Sequence, residues 1–349
     1  MPLNILQLGP YPPPEGGITR NMIAIRDMLR ERGHRCSIVA TSRSSRVVEE
    51  PDVYHPRSAF TLIRSLRSLD YDILHLHIGG DVTRRVLALA LACALLTKGK
   101  CVLTLHSGGY PMSEEAKNAS PRSIRGSIFR RLDKVIGVSE GLADVFHAFG
   151  VSRDRIVVIP PYALQPPDEN VTIADELQTF CESGSPLLVA VGGLEIDYQP
   201  LFLLDAMADI TAEFPKGRLM IVGDGSMRGD VEAAIRARKL KEHIFLAGNV
   251  KHSVSLHLMQ KADIMLRTTL FDGDAISIRE ALFLGTPVVA TDIGTRPEVA
   301  KLIPVGGCKE LTAAVSEIVN SRTNQPLRQG EPDTANIAAV VDLYEELAA

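Results

Sequence analysis

Short apolar runs alternate along this chain with longer segments whose apolar positions recur every three or four residues, and loops rich in glycine and proline separate them. Residues 4–9 (NILQLG) read as a strand and 10–17 (PYPPPEGG) as a loop. Residues 19–32 read as a helix with Met22, Ile25, Met28 and Leu29 on one stripe, and 36–40 as the next strand. Strand, helix and strand in that order form a βαβ unit, which requires a parallel sheet. The rhythm continues with strands at 73–77, 100–106, 134–138 and 155–159 and helices at 84–96, 121–132 and 140–149. It breaks at the proline-rich, polar stretch 162–170 (YALQPPDEN), which reads as a hinge or linker. It then restarts, with strands at 186–191, 218–222, 244–247, 263–267 and 288–290 and helices at 201–214, 228–238, 253–261, 275–284 and 309–320. A last helix, 334–347, carries Ile337, Val340, Val341, Leu343 and Leu347. The pattern predicts an α/β protein of two Rossmann-like doubly wound parallel-sheet domains, 1–163 and 164–333. In such sheets ligands bind beyond the carboxyl ends of the strands, so a cleft between two facing domains is the expected site.

Composition changes this picture little. With 349 residues, 45% hydrophobic and 23% charged, the chain is of ordinary globular type and long enough for two domains. Met1 runs straight into the first strand pattern, so no signal peptide is expected, and the longest apolar run, 86–97, is too short to span a bilayer. The five cysteines form no CxxC pair and read as reduced cytosolic packing residues. Charge is more informative. Residues 1–163 carry a balance of +7 and residues 164–349 one of −11, within a net charge of −4. A basic first half suits an anionic partner such as a phosphorylated acceptor or a membrane surface; plain divergence of two surfaces is the alternative.

The candidate chemistry lies at strand ends. Leu266 to Glu298 brings acidic residues, a glycine and a helix start together: Arg267 ends a strand, Asp272-Gly273-Asp274 forms a tight loop, and Glu280 follows one to two turns into the helix. Free N–H groups at such a start, here Ala275 and Ile276, favour an anion. Asp272-x-Asp274 also spells the D-x-D that holds divalent metals on diphosphates, but a helix cap is the plainer reading and no metal is expected. Gly16 and Gly17 follow the first strand and let a ligand approach the backbone, or simply make a tight turn; G-x-G-x-x-G spacing is missing, which disfavours a nicotinamide cofactor. His75 and His77 share one face of a strand, with packing the expected role of His75. His106, at a strand end before Ser107-Gly108-Gly109, is expected to face the cleft and either bond a substrate hydroxyl or titrate near neutrality. Gly223 opens the G-x-G loop after another strand.

Taken in order, GPYPPPEGGI, LTLHSGG, VIGVSEGLADVF, FGVSRDRIVVIPPY, IVGDGSMR and DGDAISIREALFLGTPVVATDIG resemble the retaining family-4 glycosyltransferases of the GT-B fold, from Gly9 to Glu298. The resemblance implies a hexosyltransferase-type, metal-independent enzyme that takes a sugar from a nucleotide-sugar, expected to be a UDP-sugar, with no further cofactor. The donor binds the second domain and the acceptor the first, and the final segment, 334–349, returns to the first domain. Glu280 matches the second glutamate of the family's E-x7-E motif and would bond the ribose hydroxyls. Asp272 stands at the first glutamate and reaches less far toward the donor sugar; Asp274 is expected to share its task. Ala275 and Ile276 would cap the diphosphate, Gly16 and Gly17 would approach it from the first domain, Gly223 and the Asn249 segment would border the base, and His106 would sit by the donor sugar. One departure matters. Where the family carries an Arg and a Lys to neutralise the leaving diphosphate, this chain has Gly193 and Tyr198. Arg267, and after it Arg279, are the expected substitutes.

The expected function is sugar transfer to an acceptor hydroxyl in polysaccharide or lipid-linked glycan synthesis. A catalytically weak nucleotide-sugar binder and a sugar-nucleotide epimerase are the alternatives. Partners are then the donor and a glycan or lipid-linked acceptor, without nucleic acid. The basic helix 120–134, with Ile124, Ile128 and Leu132 on one face, is either an ordinary Rossmann helix with a solvated basic face or a point of peripheral contact with anionic lipid at the cytoplasmic face of the membrane.

Overall fold

The computed structural model describes residues 1–11, 16–41, 50–168, 170–272, 275–294, 296–321 and 330–349. In chain order it contains β1 (Asn4–Gly9), α1 (Gly17–Glu31), β2 (Arg35–Ala40), β3 (Val53–Tyr54), α2 (Ala59–Ser68), β4 (Ile73–Ile78), α3 (Arg84–Leu96), β5 (Lys100–Leu105), α4 (Glu114–Lys117), α5 (Ile124–Phe129), β6 (Lys134–Gly137), α6 (Glu140–Ala148) and β7 (Ile156–Val158). There follow α7 (Asp175–Glu182), β8 (Leu187–Val191), α8 (Pro200–Glu213), β9 (Arg218–Val222), α9 (Arg228–Ala237), β10 (Ile244–Gly248), α10 (His252–Lys261), β11 (Ile264–Arg267), α11 (Ile276–Phe283), β12 (Val288–Thr291), β13 (Lys301–Ile303), α12 (Cys308–Ser321) and α13 (Ala335–Ala348). The chain divides into one unit of Met1–Ala163 with Asp333–Ala349 and a second of Leu164–Pro332.

In the first unit seven parallel strands run in the order β3-β2-β1-β4-β5-β6-β7. In the second, six run β10-β9-β8-β11-β12-β13, again all parallel. Each order reverses direction at its centre, between β1 and β4 in one sheet and between β8 and β11 in the other. Crossovers leave such a point on opposite faces, so the loops after the two central strands part and open a crevice. The central strands are apolar on both faces, as burial on two sides demands: β4 is buried throughout, and β8 buried in all but its last residue.

The last helix completes the first unit. Ile337, Val340, Val341, Leu343 and Tyr344 of α13 are buried with Ile5, Ile25, Leu29, Ile73, Val102 and Ile136, so α13 and α1 together cover one face of that sheet. Burying four aliphatic side chains at about 1.5–3 kcal/mol each outweighs the rim ion pairs Arg32–Asp342 and His34–Glu345, worth about 0–1 kcal/mol apiece.

The basic segment departs from expectation. Only Ile124–Phe129 is helical, because Ser123 caps the turn by accepting from the Gly126 N–H at 3.0 Å and the arginines that follow fold back on main-chain carbonyls. Arg130 donates to the carbonyls of Pro121 and Phe149, and Arg131 to the Ser127 carbonyl at 2.5 Å. Ile128 and Leu132 are buried, while Ile124 is 76% exposed, so the three do not form one outward stripe. Among the described residues no helix is long and apolar enough to cross a membrane.

Candidate active site

At the switch point of the second unit the loops after β8, β9 and β10 are tied edge to edge. The Gly192 N–H donates to the Val222 carbonyl (2.9 Å), the Gly223 N–H to the Gly248 carbonyl (2.9 Å), and the Met227 N–H to the Leu194 carbonyl (2.9 Å). Gly223 holds φ +132°, and a Cβ there would lie 1.9 Å from the Gly192 carbonyl oxygen, so no larger residue fits the contact. The Glu195 carboxylate accepts from the N–H of Ser226 at 2.9 Å and from its hydroxyl at 2.5 Å, which holds its pKa below the usual carboxylate range. Asn249, beyond β10, is exposed.

Across the crevice from these loops, β11 ends in Arg267, which is 8% exposed. Its guanidinium lies 4.7 Å from the Tyr198 ring centre, donates to the Val191 carbonyl at 2.6 Å, and grips Asp272 Oδ2 through Nε (2.8 Å) and Nη2 (2.6 Å). Arg296 lies in the loop after β12, with its side chain 1% exposed. It reaches the same Asp272 Oδ2 at 3.2 Å and also donates to the Thr269 hydroxyl (2.6 Å) and the Thr291 carbonyl (3.2 Å). Asp272 therefore sits between two buried arginines, a partnership that its family position did not suggest. Arg296 was passed over in the sequence although it too follows a strand; only its distant partners distinguish it from a surface arginine. Arg279 is half-buried on α11.

The helix α11 starts at Ile276 with Ala275 as its N-cap and no side-chain cap. Glu280, 7% exposed, lies on its buried side and pairs with His252 Nε2 at 2.6 Å. His252 opens α10 just beyond the Asn249 segment, so the pair ties the start of α10 to α11. The sequence offered no sign of it, since the partners are 28 residues apart. Asp274, expected to share the task of Asp272, lies outside the described residues together with Gly273. Among the described residues no three His, Cys, Asp or Glu side chains gather to hold a metal.

In the first unit Gly16 is the N-cap of α1, with open space where a Cβ would stand, and Gly17 is its first residue. His75 and His77 are buried, and His106 stands half-buried beside them. His75, wholly buried, bonds the Tyr344 hydroxyl of α13 through Nδ1 and the Thr104 hydroxyl through Nε2 at 2.7 Å. His77 Nδ1 lies 3.1 Å from His106 Nε2, and the two rings stack at 5.4 Å. Burial pushes His75 and His106 down to about 3 and His77 well below its ordinary value. His106 is thus a neutral imidazole held by a second one. This corrects the expected titration near neutrality: loss of water around the ring outweighs any tendency to protonate.

Residues 15–162 match the model of Glycosyltransferase Family 4, and residues 177–307 that of the Glycosyl transferases group 1. The phosphatidyl-myo-inositol mannosyltransferase of Mycobacterium tuberculosis is 24% identical over 355 residues, spanning 93% of this chain and 88% of the relative. Among solved structures, Anabaena HepE in complex with UDP-glucose superposes with a TM-score of 0.70 at 18% identity, over 99% of this chain and 98% of that one. A glycosyltransferase from Rickettsia africae also gives 0.70 at 17% identity, with 99% and 98% covered. With both family domains in order and both sheets wound in the same way, the chain belongs to the glycosyltransferases of the GT-B fold.

Proposed function

We propose that this protein is a retaining, metal-independent glycosyltransferase that moves a sugar from a nucleotide-sugar, a UDP-sugar first among candidates, to a hydroxyl of a glycan or lipid-linked acceptor. The observation that carries the proposal is the buried Glu280, one turn into the helix at the switch-point crevice and held by His252. A carboxylate so placed accepts from the two ribose hydroxyls of a nucleotide whose diphosphate faces the Ala275 and Ile276 N–H groups. Gly223 and Asn249 border the base, and Gly16 and Gly17 approach the diphosphate. Neutral His106 donates or accepts one hydrogen bond to the donor sugar. Asp272 and Asp274 remain the acids of the loop, and Arg267 the countercharge. In this scheme the departing phosphate takes the acceptor's proton, so no protein base is required. The phosphatidyl-myo-inositol in the name of the mycobacterial relative supports a lipid-linked acceptor, and the UDP-glucose bound in HepE supports a UDP-sugar donor.

The test is turnover of UDP-, GDP- and ADP-sugars with a panel of glycan and polyprenyl-phosphate-linked acceptors, together with nucleotide binding by calorimetry. Glu280→Gln replaces a charged acceptor by a neutral one and is expected to weaken nucleotide binding roughly ten- to hundredfold. Nucleotide release from no donor, with no loss of binding in Glu280→Gln, sinks the proposal. A second reading, a binder without turnover, is favoured by Gly193 and Tyr198 at the positions of the family's Arg and Lys; tight UDP binding with no transfer to any acceptor would select it.

Peripheral contact with an anionic membrane belongs to the same proposal, but α2 suits it better than α5. Phe60 is 74% and Ile63 36% exposed, Arg64 and Arg67 lie on the same helical stripe, and 57–68 contains no acidic residue.

A further inference from the structure

The charge expected at Gly193 and Tyr198 has a physical replacement. A Cβ on Gly192 would fall 2.4 Å from the Tyr198 ring and 3.1 Å from Arg267 Nη1. The space beside the glycine pair is therefore filled by an arginine that arrives from the neighbouring central strand, backed by a flat tyrosine. Tyr198 does not replace a lysine; it is the surface on which Arg267 lies. Arg296 brings a second guanidinium to the same point from the next strand. Both end on one oxygen, Asp272 Oδ2, which also receives the Thr269 hydroxyl at 3.4 Å. Three guanidinium nitrogens, two of Arg267 and one of Arg296, converge on that oxygen, and guanidinium groups hold phosphate oxygens as readily as carboxylate ones. The cluster stands at the ends of β11 and β12, beside a narrow cavity lined by Gly192, Gly193, Tyr198, Arg267 and Thr269.

We propose that Arg267 and Arg296 are the diphosphate-binding pair of the second domain, and that Asp272 is the internal anion that occupies them until a diphosphate competes for them. This rests on the donor-site reading above but gives Asp272 the opposite effect on binding. An acid that bonds the donor sugar strengthens donor binding; an acid that holds the arginines weakens it. Exchange of a carboxylate for a diphosphate keeps both guanidinium groups paired throughout, which avoids stranding a buried charge.

The test measures binding of inorganic pyrophosphate, UDP and uridine to the full chain by calorimetry. Asp272→Asn keeps the shape and a carbonyl acceptor but removes the competing charge. It is expected to tighten pyrophosphate and UDP roughly tenfold and leave uridine unchanged, and Arg296→Gln to weaken the first two by a similar factor. Thermal melts identify a variant that has lost its fold; should Asp272→Asn be lost in this way, Arg296→Gln and Arg296→Lys decide, the lysine expected to recover part of the affinity. Weaker or unchanged pyrophosphate binding in a folded Asp272→Asn, or unchanged binding in Arg296→Gln, overturns the proposal. If UDP does not bind the unaltered protein while pyrophosphate follows these changes, the donor reading fails and the arginine pair stands. If UDP binds and ignores all three changes, the pair fails and the donor reading stands.

Discussion

Acid should destabilise the first domain at pH values where ordinary carboxylates are still ionised, and the buried histidines set how steeply. His75 is fully buried and His77 is 3% exposed. In the unfolded chain each imidazole returns to the ordinary value of 6.5, whereas burial holds His75 near 3 and His77 well below 6.5 in the native state. Above pH 6.5 both states carry neutral rings and the two groups do not affect stability. Below it the unfolded chain takes up protons that the native state refuses, so stability falls as pH falls, until the native rings titrate. At pH 5 His75 alone costs about 2 kcal/mol, and His77 and His106 act in the same direction. Domains are stable by only about 5–15 kcal/mol, so this is a large fraction. Urea unfolding of the full chain between pH 7.5 and pH 5 measures the change, and hydrogen exchange in peptides from β4 and β5 assigns it to the first domain. His75→Gln, which cannot titrate, should flatten part of the slope, and His77→Gln should act in the same direction. An unfolding free energy that is flat over this range, or a slope that His75→Gln leaves intact, refutes the reasoning.

Two further outcomes follow from particular contacts. Gly223→Ala places a methyl against the Gly192 carbonyl, a main-chain atom that cannot swing away, so a loss of about 3 kcal/mol or more is expected from second-domain urea melts, with nucleotide binding falling alongside. Arg64→Gln with Arg67→Gln should reduce co-sedimentation with anionic liposomes and leave neutral liposomes unaffected, whereas Arg130→Gln with Arg131→Gln, whose side chains are spent on internal carbonyls, should change little.

The alternation of apolar runs and amphipathic segments made nearly the whole doubly wound frame legible, since parallel strands buried on two faces leave a strong signal. What escaped were short or atypical pieces. β3 is a two-residue edge strand, α2 buries only Leu66, and β13 exposes two of its three residues, so none shows a clear period. The helix at 121–132 was read too long because its apolar spacing continues past Phe129 through a turn held by side-chain bonds to carbonyls. The same limit governs the site. Strand ends and glycines are local and were visible: Gly223, Arg267 and Glu280 stand at or just beyond the second-domain switch point. Pairings are not local. Nothing in the spelling of the chain joins His252 to Glu280, or Arg296 to Asp272, and those partners decide whether an acid faces a ligand or an arginine.

The placement of α13 has a consequence for how this protein is made. Tyr344 meets His75 across 269 residues of chain, and Ile337 to Tyr344 close the face formed by Ile5, Ile73 and Val102. During synthesis the first sheet emerges first, yet the part of one face that α1 leaves uncovered stays open until the ribosome has released residues beyond 344. The second domain, self-contained between Leu164 and Pro332, can fold before the domain that precedes it. For that interval the nascent chain carries an uncovered aliphatic surface, and the first domain is the last to be completed.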